Sequence, residues 1–456
     1  MCVGFQRGVA LLVAAAFFME ILDSTVIAPA VPRIAGDFGV SAVAVNVAIT
    51  AYVLTVGVLI PVSGWLAVRF GVRRVFCLAL AVFVLASAGC AVAPDLAVLT
   101  GCRVVQGAGG AMMVPVGRLA VLRTTPKPDL VRAIAYLTWP ALLAPVVAPV
   151  AGGLLAEYAS WRWIFLVNVP LGLAALAVAV RIVPRSRAER PPPFDLAGFV
   201  LTAVAVGALI VALDGLGSGF GPRTAVALVV AVVALVLSMR HLLRARHPLV
   251  DLRTLRVRTY RLTAASGSVY RAVITSIPFL LPLLFQLGFG WSPAQAGAAV
   301  IALFAGNVGI KPATTPLMRR FGIRRVLLGA IAAGAACLVG MAFVRAATPL
   351  PLLLALLVAS GVARSIGFTA YNSIAFADVP PERMTHANTL FSALQELGAG
   401  LGVAAGALLI RLGQAVVPGP VGPYGVACVL LALILLGPAV AAWRLPVTAG
   451  DAVTGR

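Results

Sequence analysis

Long apolar runs, each closed after about twenty residues by a short polar stretch, recur from one end of this chain to the other. Lipid offers no partner for backbone N–H and C=O groups, so a spanning segment must satisfy them within a helix or a closed barrel. Continuous apolar runs fit helices, whereas barrel strands would be short and alternating. The pattern predicts an all-α polytopic membrane protein with fourteen transmembrane helices, at residues 8–30, 43–67, 75–93, 96–117, 132–155, 163–183, 195–213, 223–243, 262–286, 293–316, 326–345, 349–371, 387–411 and 422–443. The first run is too long for a signal-peptide core and is expected to be retained as a span. With 61% hydrophobic residues, 11% charged residues and a mean hydropathy of +1.06, a soluble globular domain is excluded.

The charges follow the same punctuation. Placing the N-terminus inside puts 26 of the 35 Lys and Arg in inner loops, span ends and tails. Five fall outside (Arg33, Arg162, Arg223, Arg345, Arg411) and four within spans (Arg103, Arg271, Lys311, Arg364). This asymmetry is the positive-inside rule; it predicts a multi-pass protein of the inner (plasma) membrane with both termini cytoplasmic. The net charge of +21 is therefore expected to face anionic lipid of the bilayer, not nucleic acid.

Residues 64–75, GWLAVRFGVRRV, return at 315–326 as TPLMRRFGIRRV. The shared R-F-G-[VI]-R-R-V implies two homologous halves, a common build of secondary transporters. The expected units are an N-terminal six-helix bundle (1–183), two additional helices with basic flanks (184–261) and a C-terminal six-helix bundle (262–456). The flank at 184–195 carries three consecutive prolines and reads as a stiff connector. The flank at 240–261, with seven arginines among apolar residues, suits either a helix on the membrane face or a solvated loop. In the repeated loop, Gly71 and Gly322 supply a tight turn. Arg69, Arg73, Arg74, Arg320 and Arg324 are placed to cap helix C-termini or to hold carboxylates and lipid phosphates.

Glu20 and Asp23 raise the chemical question. Three residues apart, they share a helix face inside the first span. A carboxylate at mid-bilayer costs about 2.5–3.5 kcal/mol on insertion scales, so such acids are usually functional. Burial and mutual repulsion favour holding a proton. Its loss creates a charge for Arg103 or a cationic substrate to balance. A site that holds either a proton or a cation is the simplest antiport mechanism. In the far half, Glu396 either faces these acids across a cavity or pairs with Arg364 or Arg271. Arg271, Lys311 and Arg364 are unusual for a pump of cations: they neutralise the acids or bind an anionic substrate. Gln106, Trp139, Asn307, Asn372 and Gln395 are further candidates to line the cavity. Residues 139–153, WPALLAPVVAPVAGG, combine Pro140, Pro145 and Pro149 with Gly152 and Gly153. Prolines bend a helix and small residues admit a close neighbour, which suits a gating span.

Several classes fall away. GAGGA (107–111) lacks nucleotide-loop spacing, and no Walker sequence occurs, so no ATPase is expected. The six cysteines have no CxxC spacing, and His241, His247 and His386 all lie in inner loops. Neither a cofactor, a metal site nor an enzyme is expected. Substrate and protons are the expected partners, nothing requires a second subunit, and a monomer is expected. A non-transporting membrane sensor remains the reading from another class.

The repeated loop resembles the signature of the major facilitator superfamily, and the fourteen-span layout resembles its drug:proton antiporter branch of the EmrB/QacA type. LDSTVIAPAVPRI (22–34) is similar to that branch's first-helix motif, RVVQGAGGAMMVP (103–115) to its fourth-helix motif, and APVAGG (148–153) with SWRWIFLVNVPLG (160–172) to its antiporter motif and outer loop. The resemblance implies a proton-coupled exporter of hydrophobic, cationic drug-like compounds, with export of an anionic or zwitterionic metabolite as the alternative. It ties Asp23 to coupling; Glu20 lies outside the motif. Some relatives work with a membrane-fusion adaptor. Two departures stand out. Val68 and Arg319 occupy the loop position where the family carries an Asp that latches the inner gate, and Ala148 replaces the Gly of a Gly-Pro pair.

Overall fold

The computed structural model describes residues 7–184, 193–218 and 221–454, and among these it contains helices and turns but no strand. The first half comprises α1 (Arg7–Val26), α2 (Val31–Phe38), α3 (Ala42–Leu59), α4 (Val62–Phe70), α5 (Val72–Ala91), α6 (Leu96–Thr124), α7 (Leu130–Tyr158), α8 (Trp163–Leu166) and α9 (Asn168–Ile182). Two helices follow, α10 (Leu196–Ser218) and α11 (Pro222–Arg244). The second half comprises α12 (Arg258–Leu283), α13 (Pro293–Gly309), α14 (Lys311–Phe321), α15 (Ile323–Ala342), α16 (Leu350–Ile374), α17 (Met384–Val416), α18 (Gly422–Ile434), α19 (Leu436–Trp443) and α20 (Asp451–Thr454).

By length and composition, ten helices among the described residues can cross a membrane, or twelve if two bent pairs each count as one. The bends are 60° between α3 and α4 and 47° between α13 and α14. The remaining expected spans, 132–155 and 195–213, fall on α7 and α10. One boundary is corrected. The fourth expected span stops at 117, but α6 continues to Thr124, so Arg118 and Arg123 are helical rather than loop residues. The apolar run Leu119–Leu122, which is largely buried, carries the helix past Arg118. The basic flank after α11 forms no surface helix; a single 3₁₀ turn, Leu252–Arg256, joins it to α12. The proline-rich connector lies mostly outside the described residues.

The halves repeat one packing scheme. In the first, α1 lies on α6 and α7, α3 on α6, and α5 on α6 and α9. In the second, α12 lies on α16 and α17, α13 on α16, and α15 on α16 and α18. The α10–α11 pair sits beside both, with α10 against α3 and α17.

The repeated loops share their dihedral angles. Gly71 has φ 83° and ψ 144°, and Gly322 has φ 83° and ψ 148°. A positive φ of this kind is open to glycine and strained for other residues. Each turn then aims an arginine at the C-terminal end of a helix in its own half. Arg73 donates to the Val180 carbonyl of α9, and Arg324 to Trp443 O of α19 at 2.7 Å. Both are C-terminal carbonyls that lack a helical partner. Arg69 and Arg320 instead lie over the rings of Phe70 and Phe321, at 5.6 and 5.4 Å, and Arg74 is exposed.

Candidate functional site

Asp23 and Arg103 meet in the interior of the first half. Arg103 donates through Nη1 to Asp23 Oδ2 at 2.5 Å, and both side chains are fully buried. The second carboxylate oxygen accepts from Gln106 Nε2 at 2.9 Å and from Asn168 Nδ2 at 2.8 Å. Asn168 also donates to Ser87 Oγ at 3.1 Å, and Ser87 donates to Phe165 O at 2.9 Å. Arg103 Nη1 further reaches Gln106 Oε1 at 2.8 Å. These hydrogen bonds meet both carboxylate oxygens and so support the buried ion pair, while Arg103 Nε and Nη2 have no protein acceptor. This cluster joins α1, α5, α6 and α9 and is internal to one half. The Tyr52 ring lies 4.1 Å from the Arg103 guanidinium, and Tyr52, unlike Arg103, also lines the central cavity.

The centre is a cavity of about 440 Å³ between the halves. Its charged lining is Glu20 and Arg118 from the first half, and Arg271, Arg364 and Glu396 from the second. Phe17, Ile21, Val56, Phe304 and Phe368 give it apolar walls, with Gln395 and Ser392 among the polar groups. Glu396 lies deep among the helices yet is accessible through this cavity. No ion pair within 4.0 Å joins these carboxylates and guanidiniums among the described residues. Instead, Arg271 lies 5.0 Å over the Phe368 ring and Arg364 5.6 Å over Phe304. Arg118 Nη1, Arg271 Nε, and Arg364 Nε and Nη1 have no protein acceptor. A guanidinium carries five donors. These buried donors have no acceptor among the described residues.

Of the expected cavity residues, Arg271, Arg364 and Gln395 line it, whereas Gln106, Asn307 and Asn372 do not. Gln106 is turned into the Asp23 cluster. Asn372 donates back to Phe368 O of its own helix at 2.8 Å. Asn307 sits at the seam where α13 meets α16 at Gly361 and does not reach the cavity. The side chains of Trp139, Pro145 and Pro149, and the surroundings of Gly153, fall outside what the structure describes, although α7 runs through these positions without a break. Gly152 is buried where a Cβ would collide with the carbonyl of Val26, so its small size permits the α1–α7 contact. Sequence reasoning missed Arg118, Asn168 and Ser87. For Arg118 the continuing apolar run was a usable signal; the other two are ordinary small polar residues.

The cavity is shut at the basic end, where the repeated loops lie. Arg123 donates to Thr385 Oγ1 at 2.7 Å, and Asn388 Nδ2 to Pro115 O at 2.8 Å, each from one half to the other. Arg319 reaches Pro128 O at 3.3 Å and Asp129 Oδ1 at 3.8 Å. Gly64 lies so close to Thr389 Oγ1 that a Cβ there would force Thr389 to shift. With Val68 standing where the family carries an Asp, the contacts that join the halves at this end come from Arg123, Arg319, Asp129 and Asn388. At the other end, Asp37 accepts from Trp161 Nε1 and Arg162 Nη1, both at 2.8 Å, which holds its carboxyl below the usual range.

Residues 13–403 and, as a second match, 263–454 fit the Major Facilitator Superfamily. The chain belongs to that superfamily. Among its relatives, the "Putative multidrug resistance protein MdtD" of Escherichia coli O6:H1 (strain CFT073) is 39% identical over 408 residues, covering 88% of this chain and 85% of that one. The protein of the same name from Shigella boydii serotype 18 matches equally, at 39% over 408 residues. Solved superfamily structures share the fold. The human organic anion transporter MFSD10 (TETRAN) superposes with a TM-score of 0.68 at 13% identity, covering 96% of this chain and 99% of that one. The proton:xylose symporter XylE bound to 6-bromo-6-deoxy-D-glucose gives 0.66 at 14% identity, covering 97% and 96%. Superfamily membership makes this chain a multi-pass membrane transporter of small molecules, not an enzyme.

Proposed function

We propose that the protein is a proton-coupled exporter that exchanges external protons for apolar, drug-like compounds. The curated relatives named for multidrug resistance support this reading. Two units, residues 1–183 and 262–456, rock about the central cavity, with 184–261 contributing two further spans to a total of fourteen. The basic end is cytoplasmic and the membrane is the inner membrane, as the charge bias indicates. The protein acts as a monomer, and a membrane-fusion adaptor is a separate question of assembly.

The observation that carries the reading is the unpaired charge set of the cavity: Glu20 and Glu396 with Arg118, Arg271 and Arg364, none in an ion pair with another. Linkage decides what such a site can exchange. A ligand and a proton that weaken each other's binding are exchanged; a pair that strengthen each other travel together. A cationic group beside Glu20 or Glu396 competes with a proton, which gives antiport. A purely anionic ligand beside the arginines favours protonated carboxylates, which gives symport. A cationic group alone leaves the arginine donors unsatisfied. A zwitterion uses both sets and retains exchange. The favoured substrate is therefore an apolar compound carrying an amine and an acidic group, with the lipophilic cation as second reading.

Reconstitution in liposomes with a trapped pH-sensitive dye tests this. Matched cations, zwitterions and anions are added and proton flux is recorded. Flux triggered by zwitterions, and lost in Glu20→Gln, is expected. Flux with anions alone, in the direction of co-transport, contradicts export by exchange. Binding of ligands without any flux would return the protein to the class of sensors.

A further inference from the structure

A second cavity, about 650 Å³, opens between α7 of the first half and the bend joining α13 to α14 of the second. It lies toward the basic end, beside the second copy of the repeated loop. Ala135, Val308, Pro312 and Pro316 make it apolar, and Arg132, Lys311 and Arg319 make it cationic. Pro312, Pro316 and Arg319 are exposed, so the cleft opens to the surroundings rather than into the centre.

Lys311 is the unusual member. It is 5% exposed, and Nζ donates to Thr138 Oγ1 at 2.9 Å and Thr369 Oγ1 at 2.7 Å. Both partners are neutral hydroxyls. Among the described residues no carboxylate lies within 4.0 Å of it. An ammonium has three donors and a full charge, and a buried charge needs a partner of opposite sign. Thr138 lines the central cavity, so Lys311 forms part of the wall between the two spaces.

We propose that this cleft binds the phosphate-bearing headgroup of an anionic phospholipid. Lys311, Arg132 and Arg319 supply the counter-charge, and the proline and alanine walls hold the first acyl carbons. Basic pockets between spanning helices on the cytoplasmic side suit anionic headgroups, and the repeated basic loop next to the cleft marks that side. A free anion would meet the same charges but would leave the apolar walls empty, which favours the lipid. The walls come from both halves, and Lys311 bridges them to Thr138. The lipid therefore fits only while the basic end is shut, and it favours that state over the one open to the cytoplasm.

Native mass spectrometry of the full-length protein, loaded with phosphatidylglycerol or phosphatidylcholine, tests the site. The wild type is expected to retain phosphatidylglycerol at least tenfold better than phosphatidylcholine. Lys311→Met should lose this preference and Lys311→Arg should keep most of it. Arg319→Gln, at an exposed position, supplies a second variant, with a several-fold reduction expected. An unchanged preference in both Lys311→Met and Arg319→Gln overturns the proposal. Displacement of the lipid by millimolar inorganic phosphate assigns the site to a free anion and overturns the lipid. If Lys311→Met fails to fold, the Arg319→Gln result and phosphate competition on the wild type decide.

Discussion

Asp23 and Glu20 are the same kind of group, three residues apart on one helix, and the structure gives them opposite environments. Asp23 is enclosed within the first half, with Arg103, Gln106 and Asn168 meeting both carboxylate oxygens. Glu20 faces the space between the halves and has no such partners. Three helical residues turn a side chain by about 60° from its neighbour. That is enough here to separate a group enclosed within one bundle from a group that lines the central cavity. The resemblance to the antiporter branch points to Asp23 as the coupling acid; the geometry points to Glu20, with Glu396 opposite.

The largest effect should come from breaking the enclosed side of this pair. Asp23→Ala leaves Arg103 buried without its counter-charge, a change that typically costs about 3–5 kcal/mol. Thermal melting of the purified protein should show a marked loss, and Asp23→Ala with Arg103→Leu should recover part of it. Glu20→Gln should do the reverse. It removes no ion pair, so melting should stay close to that of the wild type, while proton-driven flux falls at least tenfold.

Smaller changes sharpen the ligand side. Arg271→Gln or Arg364→Gln removes charge-assisted donors worth about 1.5–3 kcal/mol each, so affinity for an anion-bearing ligand should fall roughly tenfold or more. Affinity for a matched ligand with only the cation should hold or rise, and titration calorimetry reads both. At the shut end, the Arg319–Asp129 pair is partly exposed, and such pairs contribute about 0–1 kcal/mol. Asp129→Asn should shift the balance between the two access states by no more than about fivefold, measured by labelling a cysteine introduced on the cytoplasmic side of the gate.

The smallest effect is pH-dependent. Asp37 contributes stability only while ionised, so its contact with Trp161 and Arg162 should persist above about pH 4, the usual carboxylate range. It should be lost as pH falls through its lowered value. Fluorescence of Trp161 against an Asp37→Asn control would show this.

The fold was legible because its signals are redundant. Each span needs a long apolar run, and the repeated heptapeptide marks equivalent turns whose glycines share one backbone conformation. The site was legible in its chemistry but not in its facing. Charged residues inside apolar runs stand out, so Glu20, Asp23, Arg103, Arg271, Arg364 and Glu396 could be named. Nothing in one helix says which neighbour covers which side. Gln106 reads as a cavity residue until α1 places Asp23 against it. Arg118 was lost to a span boundary, since a helix does not stop at its first charge when the next residues are apolar. The contacts that join the halves at the basic end were hidden for a related reason: their members come from segments as far apart as Arg123 and Thr385.

Proton release on ligand binding tests the central claim most directly. The purified protein in weakly buffered solution is mixed with a zwitterionic ligand it binds, and the change in bulk pH is followed. The account predicts release by the wild type, none by Glu20→Gln with Glu396→Gln, and unchanged release by folded Asp23→Asn. Release that survives the double glutamate substitution but disappears in folded Asp23→Asn would return the exchanged proton to the enclosed pair and contradict the account.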